Sequence, residues 1–353
     1  MATNGAPPEA GQPAPQKPVP EAGYQTMIEA ESVDDFVHAQ TTRAQGKDDQ
    51  TDLDEICEED RLIERFIRNG EKNRFTNIVC YDEVLDTNDK EFYVHANTFA
   101  TPYGNFIISQ APTEASCADH LHLMWIFNVR TVVCLVSAEE AGGYFDPNVG
   151  GKKVFKKYTM RTLAVDDVKR GLTVYQCELS PSTWKWWFSG GAAPARTVHI
   201  ISCPTDVSAL RPPTQQSALM EYMWSFERAE ELVSSGVSPT TVLVHGVSGT
   251  RRCASFVVSA IMCRQMLATA HFSAIEQWIE VRKRRAHAGT RKHDYYSSLY
   301  TAFVFAAQCG CVSETEETFL KAMEVLQTLL EKHGKRTDKD PPEPSGPEGK
   351  SEA

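Results

Sequence analysis

The chain has 353 residues, 41% of them hydrophobic, which suits two average domains or one large domain with a substantial core. Its formal charge of −11 argues against a general nucleic-acid binder, which needs a net basic surface for phosphate contacts. No long apolar run occurs, so no membrane span is expected.

The N-terminus reads MATNGAPPEAGQPAPQKPVP and lacks a basic region followed by an apolar stretch, so no secretory signal is expected. Ala2 breaks the myristoylation pattern. Ten of the 19 prolines lie in the first 20 and last 13 residues. Residues 1–49 and 333–353 therefore read as disordered tails, which cannot bury enough apolar surface to offset their ordering entropy. Residues 50–332 between them read as one domain.

Within that domain, residues 50–70 suit a helix, with Leu62, Ile63, Phe66 and Ile67 at helical spacing. Strand-like runs follow at 91–99, 105–110, 131–137, 154–163, 172–179, 197–202 and 241–246. Helical patterns fall at 114–128, 214–234, 254–269, 272–284 and 294–308, with a last amphipathic helix at 314–333. This mixture predicts a single α/β domain with helices flanking a mixed sheet. The ten cysteines are scattered, with no CxxC pair; several, such as Cys134 and Cys263, sit in apolar runs. They read as buried thiols in a reducing, cytoplasmic setting rather than as metal ligands. No metal or cofactor is expected.

The stretch TTVLVHGVSGTRRCASFVVSAIM, residues 240–262, carries the chemistry. An apolar strand leads through a Gly/Ser/Thr loop into an apolar helix, where α/β sheets bind ligands. Such loops turn backbone N–H groups inward and, with the helix N-terminus, hold an oxyanion. Gly249 gives the turn its freedom, and an arginine in the first helical turn offers a bidentate fork. On spacing alone, an ordinary strand–loop–helix connection with surface arginines fits as well.

The stretch resembles the signature of the classical protein tyrosine phosphatases, His-Cys-Ser-x-Gly-x-Gly-Arg-Ser/Thr-Gly. His245, Gly249 and Arg252 fall on matching positions. Other landmarks follow in the family's order: KNRF (72–75), YDEV (81–84), FYVHANTF, NFIISQAP (105–112) with Asp119 and Trp125 after it, VVCLVSAEEAG, and VRKRRAHAGTRKHDYYSSLYTAFVFA. The resemblance spans essentially the whole folded part and implies a tyrosine-phosphatase-like fold. It also implies that His245, Gly246, Val247, Ser248, Gly249, Thr250, Arg251 and Arg252 form a phosphate-binding loop.

The departures are as specific as the match. The family's nucleophile is a low-pKa cysteine thiolate, and Gly246 stands there. The general acid belongs to a Trp-Pro-Asp triplet, and Cys203, Pro204 and Thr205 stand there, with Asp206 one residue late as a displaced acid. The hydroxyl after the signature arginine is Cys253, which reads as a small buried thiol. Arg251 replaces the second signature glycine, and the water-positioning glutamine falls near Thr290 and Arg291. The resemblance therefore implies an inactive member, a pseudophosphatase that binds a phosphotyrosine-bearing protein or a kinase. The alternatives are an interaction scaffold whose pocket Arg251 closes and a residual phosphatase.

Without the thiolate the N–H groups and Arg252 remain, and charge repulsion beneath a phosphate is gone. Phe75 replaces the recognition-loop tyrosine; its ring either stacks on phosphotyrosine or is a half-buried loop residue. Asn77 replaces an aspartate that grips the peptide backbone, which weakens that grip. Glu140 matches the glutamate that pairs with the signature arginine, or is a surface carboxylate. The basic run 281–293 reads as a solvated face, with an acidic or phosphorylated partner as the alternative. Trp184, Trp186 and Trp187 read as packing residues.

Overall fold

The computed structural model describes residues 62–82, 92–138, 140–168, 171–182, 194–203, 213–233, 240–269, 272–289, 291–310 and 317–334. The expected N-terminal tail, the three tryptophans at 184–187 and the part of the expected first helix before residue 62 lie outside them; of the tail expected from 333, residues 333 and 334 belong to the last helix and the rest lies outside.

In chain order the elements are α1 (Glu64–Arg68), a 3-10 turn (Gly70–Lys72), β1 (Ala96–Thr101), β2 (Gly104–Gln110), a second 3-10 turn (Glu114–Ser116) and α2 (Cys117–Ile126). Next come β3 (Val129–Cys134), β4 (Lys152–Val154), β5 (Tyr158–Val168), β6 (Leu172–Pro181), β7 (Arg196–Ser202) and α3 (Pro213–Val233). The chain then runs through β8 (Thr241–Gly246), α4 (Arg252–Thr269), α5 (Ala274–Arg284), α6 (Lys292–Gln308) and α7 (Glu317–Gly334).

The strands form one mixed sheet in the order β1-β2-β8-β3-β7-β6-β5-β4. β2, β8, β3 and β7 run parallel at its centre; β1 flanks them on one side and β6, β5 and β4 on the other, all antiparallel to their neighbours. β8 shows why the centre is apolar throughout. Its side chains alternate between two buried faces, so the strand needs apolar residues at every position. Val242 and Val244 enter the layer of α3, α4, α6 and α7. Leu243 points the opposite way, into the layer holding α2, Tyr144 and Phe145. α4 is buried continuously from Cys253 to Cys263.

Most element positions match the sequence pattern, with two informative differences. Residues 91–99 were expected as strand, but β1 starts at Ala96, and the buried Phe92–His95 stretch leads into it. The run 154–163 was expected as one strand; it is two, β4 and β5, joined by a tight hairpin. Phe155 and Tyr158 exchange both backbone hydrogen bonds, at 2.8 and 3.2 Å, and leave Lys156 and Lys157 in the turn. Composition hides this break, because no Gly or Pro marks the turn. Among the described residues no helix is long and apolar enough to cross a membrane.

Candidate functional site

β8 lies between β2 and β3, its two parallel neighbours, so the loops after all three strands converge at its carboxyl end. Two backbone bonds lock that end: Ala111 N–H donates to Gly246 O at 2.6 Å, and Leu135 N–H to His245 O at 2.8 Å. Residues 247–251 then turn into α4, whose first residue is Arg252.

Glycine is required at 249 by both conformation and space. Its φ is +68°, and a Cβ there would lie 2.2 Å from Ser109 O, deep inside contact distance. The turn therefore sits directly on the end of β2. Ser248 and Thr250 brace each other through their hydroxyls at 2.9 Å.

Beneath the turn lies Arg285, with none of its surface exposed. Its Nε donates to Gly249 O at 3.0 Å and its Nη2 to Ser248 O at 3.0 Å. Nη1 donates to Asn97 Oδ1 at 2.9 Å and reaches Cys80 Sγ at 3.6 Å, while Nη2 also meets His95 Nδ1 at 2.9 Å. A guanidinium only donates, so His95 Nδ1 accepts and its Nε2 carries the proton, directed at Ile78 O 2.9 Å away. His95 is thus neutral; burial and the neighbouring guanidinium pull its pKa down to about 3. Among the described residues Arg285 has no carboxylate partner. In a trans peptide the N–H points opposite to the preceding carbonyl. Since the carbonyls of Ser248 and Gly249 face Arg285, the N–H groups of Gly249 and Thr250 face away from it. A turn presenting N–H groups at a helix N-terminus, with a cation behind it, attracts an oxyanion.

At the floor of this turn stands Gly246. A Cβ at 246 would lie 3.0 Å from Cys253 Sγ. The buried thiol of Cys253 has therefore come up against the space beside Gly246, consistent with its expected burial. Arg251 and Arg252 are half-buried. Nε of Arg251 is 3.4 Å from Oδ2 of Asp294, a buried carboxylate in the first turn of α6.

His245 points from β8 toward α2, on the side opposite Val244. Its Nε2 shares a 2.9 Å hydrogen bond with Tyr144 OH, and the ring of His120 stands edge-on to it at 5.8 Å. All three side chains are fully buried. Among the described residues neither nitrogen of His120 has a hydrogen-bond partner, nor does Nδ1 of His245. Burial holds His120 down to about 3 and His245 well below the ordinary histidine range.

The loop 72–77 forms another wall. Lys72 pairs with Asp119 on α2 at 2.9 Å. Arg74 donates to Ala111 O at 2.6 Å and Pro112 O at 2.8 Å, while its backbone N–H bonds Gln110 Oε1 at 3.1 Å. Phe75 is buried, with 7% of its surface exposed, and Asn77 is exposed. The carboxylate of Glu140 accepts from Ser137 N–H at 3.2 Å, and Ser137 Oγ accepts in return from Glu140 N–H at 3.2 Å. Glu140 thus caps its own turn beside Arg74, whose cation it favours. Cys203 is buried at the end of β7, its N–H bonded to Cys134 O at 2.9 Å. Pro204, Thr205, Asp206 and Thr290 lie outside the described residues, whereas Arg291 immediately precedes α6.

The structure therefore gathers His245 to Arg252 around one turn, with the 72–77 and 137–142 segments beside it. Sequence reasoning missed Arg285, His95, Asn97, Tyr144 and His120. Arg285 stood inside the run read as a solvated basic face, where nothing marks it from Arg282 or Arg284.

The model of the family described as protein-tyrosine phosphatase matches residues 69–304. No curated protein matches the chain at a significant level. Among solved structures, one on the structural basis of the PTPN18 fingerprint on distinct HER2 tyrosine phosphorylation sites superposes with a TM-score of 0.64 at 14% identity, covering 82% of this chain and 100% of that one. The catalytic domain of human protein tyrosine phosphatase non-receptor type 18 gives 0.55 at 18% identity, over 67% and 85% of the two chains. Trypanosoma cruzi tyrosine phosphatase TcPTP1 gives 0.58 at 14% identity, over 78% and 98%. At these identities the structural likeness speaks for the fold.

Proposed function

The chain belongs to the protein-tyrosine phosphatase family, and we propose that within it this protein binds phosphotyrosine on a partner protein without hydrolysing it. The observation that carries the reading is the contrast at one turn. Arg285 is buried beneath the loop and holds the Ser248 and Gly249 carbonyls, which aims N–H groups outward. Gly246, at the floor, offers no nucleophile. A buried cation with no carboxylate partner is costly unless something compensates it, and an anion on the far side of the peptide units does so. His245 through Arg252 form the proposed cradle, Arg252 its fork. Phe75, with 7% of its surface exposed, and Asn77, exposed, are the proposed phosphotyrosine-recognition residues. The partner is a phosphotyrosine-bearing protein or a kinase; the kinase rests on analogy with other inactive members. The tyrosine-phosphorylated HER2 sites recognised by the PTPN18 neighbour support this partner class.

The Arg251–Asp294 contact favours a second reading, in which that arm spans the mouth and the protein is a scaffold with a closed pocket. Calorimetric titration of the full chain with phosphotyrosine peptides separates the two. The first reading expects binding that Arg252→Ala abolishes. The second expects none until Arg251→Gly opens the site. A residual phosphatase, using Asp206 as a displaced acid, would turn over an aryl phosphate faster than the Arg252→Ala control; we expect equal rates.

A further inference from the structure

Far along the sheet from this site, β4 is the last strand and, among the described residues, pairs only with β5. The paired bonds run through Phe155–Tyr158 and Gly151–Thr162. Alternation in an antiparallel ladder then leaves the N–H and C=O groups of Lys152 and Val154 pointing outward. Among the described residues no hydrogen bond takes these groups up.

The face beside that edge is cationic. Lys152 stands directly opposite Arg161 on β5, both exposed, and Lys156 lies in the hairpin turn. Like charges directly opposite across strands destabilise a sheet. Glu178 faces Arg161 from β6 and offsets part of its charge, but among the described residues no ion pair within 4 Å joins Lys152, Lys156 or Arg161 to a carboxylate. Apolar side chains lie among the charges, Val154 at 64% and Leu163 at 38% exposure. The chain as a whole carries −11, so this patch runs against its own background.

We propose that the β4 edge docks an acidic, extended segment of a partner protein by strand addition. Its backbone pairs with Lys152 and Val154, its carboxylates answer Lys152, Lys156 and Arg161, and its apolar side chains lie on Val154 and Leu163. This surface is separate from the loop after β8 and does not depend on the reading given to it.

The test is fluorescence anisotropy of the full chain with a labelled peptide of repeating Glu-Thr-Val-Thr, which sets Glu and Val on one face of a strand. Binding is expected at low salt, weakened roughly tenfold by Lys152→Glu with Arg161→Glu, and weakened as salt rises. N-methylation of alternate peptide nitrogens is expected to abolish it. Both substitutions are exposed; should the double variant fail to fold, Lys152→Gln with Arg161→Gln repeats the test. Three results overturn the proposal. Equal binding of the N-methylated peptide removes strand addition. Tighter binding to phosphatidylserine vesicles than to the peptide makes the patch a membrane surface. No binding by the wild-type chain leaves the lysines as protection of a bare edge.

Discussion

The underside of the loop after β8 and its floor are built in opposite ways. Underneath, Arg285 engages two loop carbonyls, Asn97, His95 and Cys80, from strands and segments distant in sequence. At the floor, Gly246 contributes only backbone, and the nearest side-chain atom to its missing Cβ is the Cys253 thiol. The difference teaches that the shape of this loop and the side chain at its floor are set by separate residues. A change at 246 alone would leave the hydrogen-bonded frame standing.

The strongest way to break this contrast is to remove the frame. Arg285→Ala leaves the Ser248, Gly249, Asn97 and His95 acceptors without this donor, and we expect a loss of roughly 3–5 kcal/mol in urea denaturation. A loss below about 1 kcal/mol would mean that water or the remaining side chains hold the loop equally well.

Acid tests the frame and the buried cluster beside it together. His95 and His120 have folded pKa values of about 3, and His245 lies well below its ordinary value, while the unfolded chain titrates near 6.5. Below about pH 6.5 the unfolded state binds more protons than the folded one, so stability is full above that pH and falls as pH drops toward 3. Each histidine contributes a loss of about 1.4 kcal/mol per pH unit in that window. Urea midpoints at neutral and mildly acid pH check the slope; a flat profile would show that these imidazoles already exchange protons with solvent.

His120 sharpens the comparison, because its two buried ring nitrogens have no partner among the described residues. His120→Phe keeps the ring and removes the unpaired groups, so we expect about 1–3 kcal/mol of added stability and a shallower acid slope. A lowered melting temperature would point to a water-filled niche there.

The smallest effect concerns the floor. Gly246→Ala should gain a few tenths of a kcal/mol, up to about 1, by restricting the unfolded chain. The 3.0 Å approach to Cys253 Sγ should cancel that gain. In a Cys253→Ala background the gain should reappear, giving a coupling near 0.5–1 kcal/mol in a double-mutant cycle. Additive changes would place the two residues out of contact.

Much of this was legible in the sequence, because the signals are local. The strand–loop–helix at 240–262, the buried pattern of β8 and the glycine at 246 are read from neighbouring residues, and periodicities of two and 3.6 report which faces meet a core. The break of 154–163 into two strands was not, since the Lys156–Lys157 turn carries no turn-forming residue. Nor was the fate of individual charges. Arg282, Arg284 and Arg285 are equivalent in sequence, yet Arg285 alone has no exposed surface. Its partners stand 36 to 205 positions away along the chain. Glu140 likewise turns to Ser137 three residues back, which its family position does not foretell. The sequence by itself determined most of the elements and the family. Tertiary structure alone decided which cation lies inside, which imidazoles stay neutral and which strand stands at the sheet edge, because desolvation and pairing depend on groups that only folding brings together.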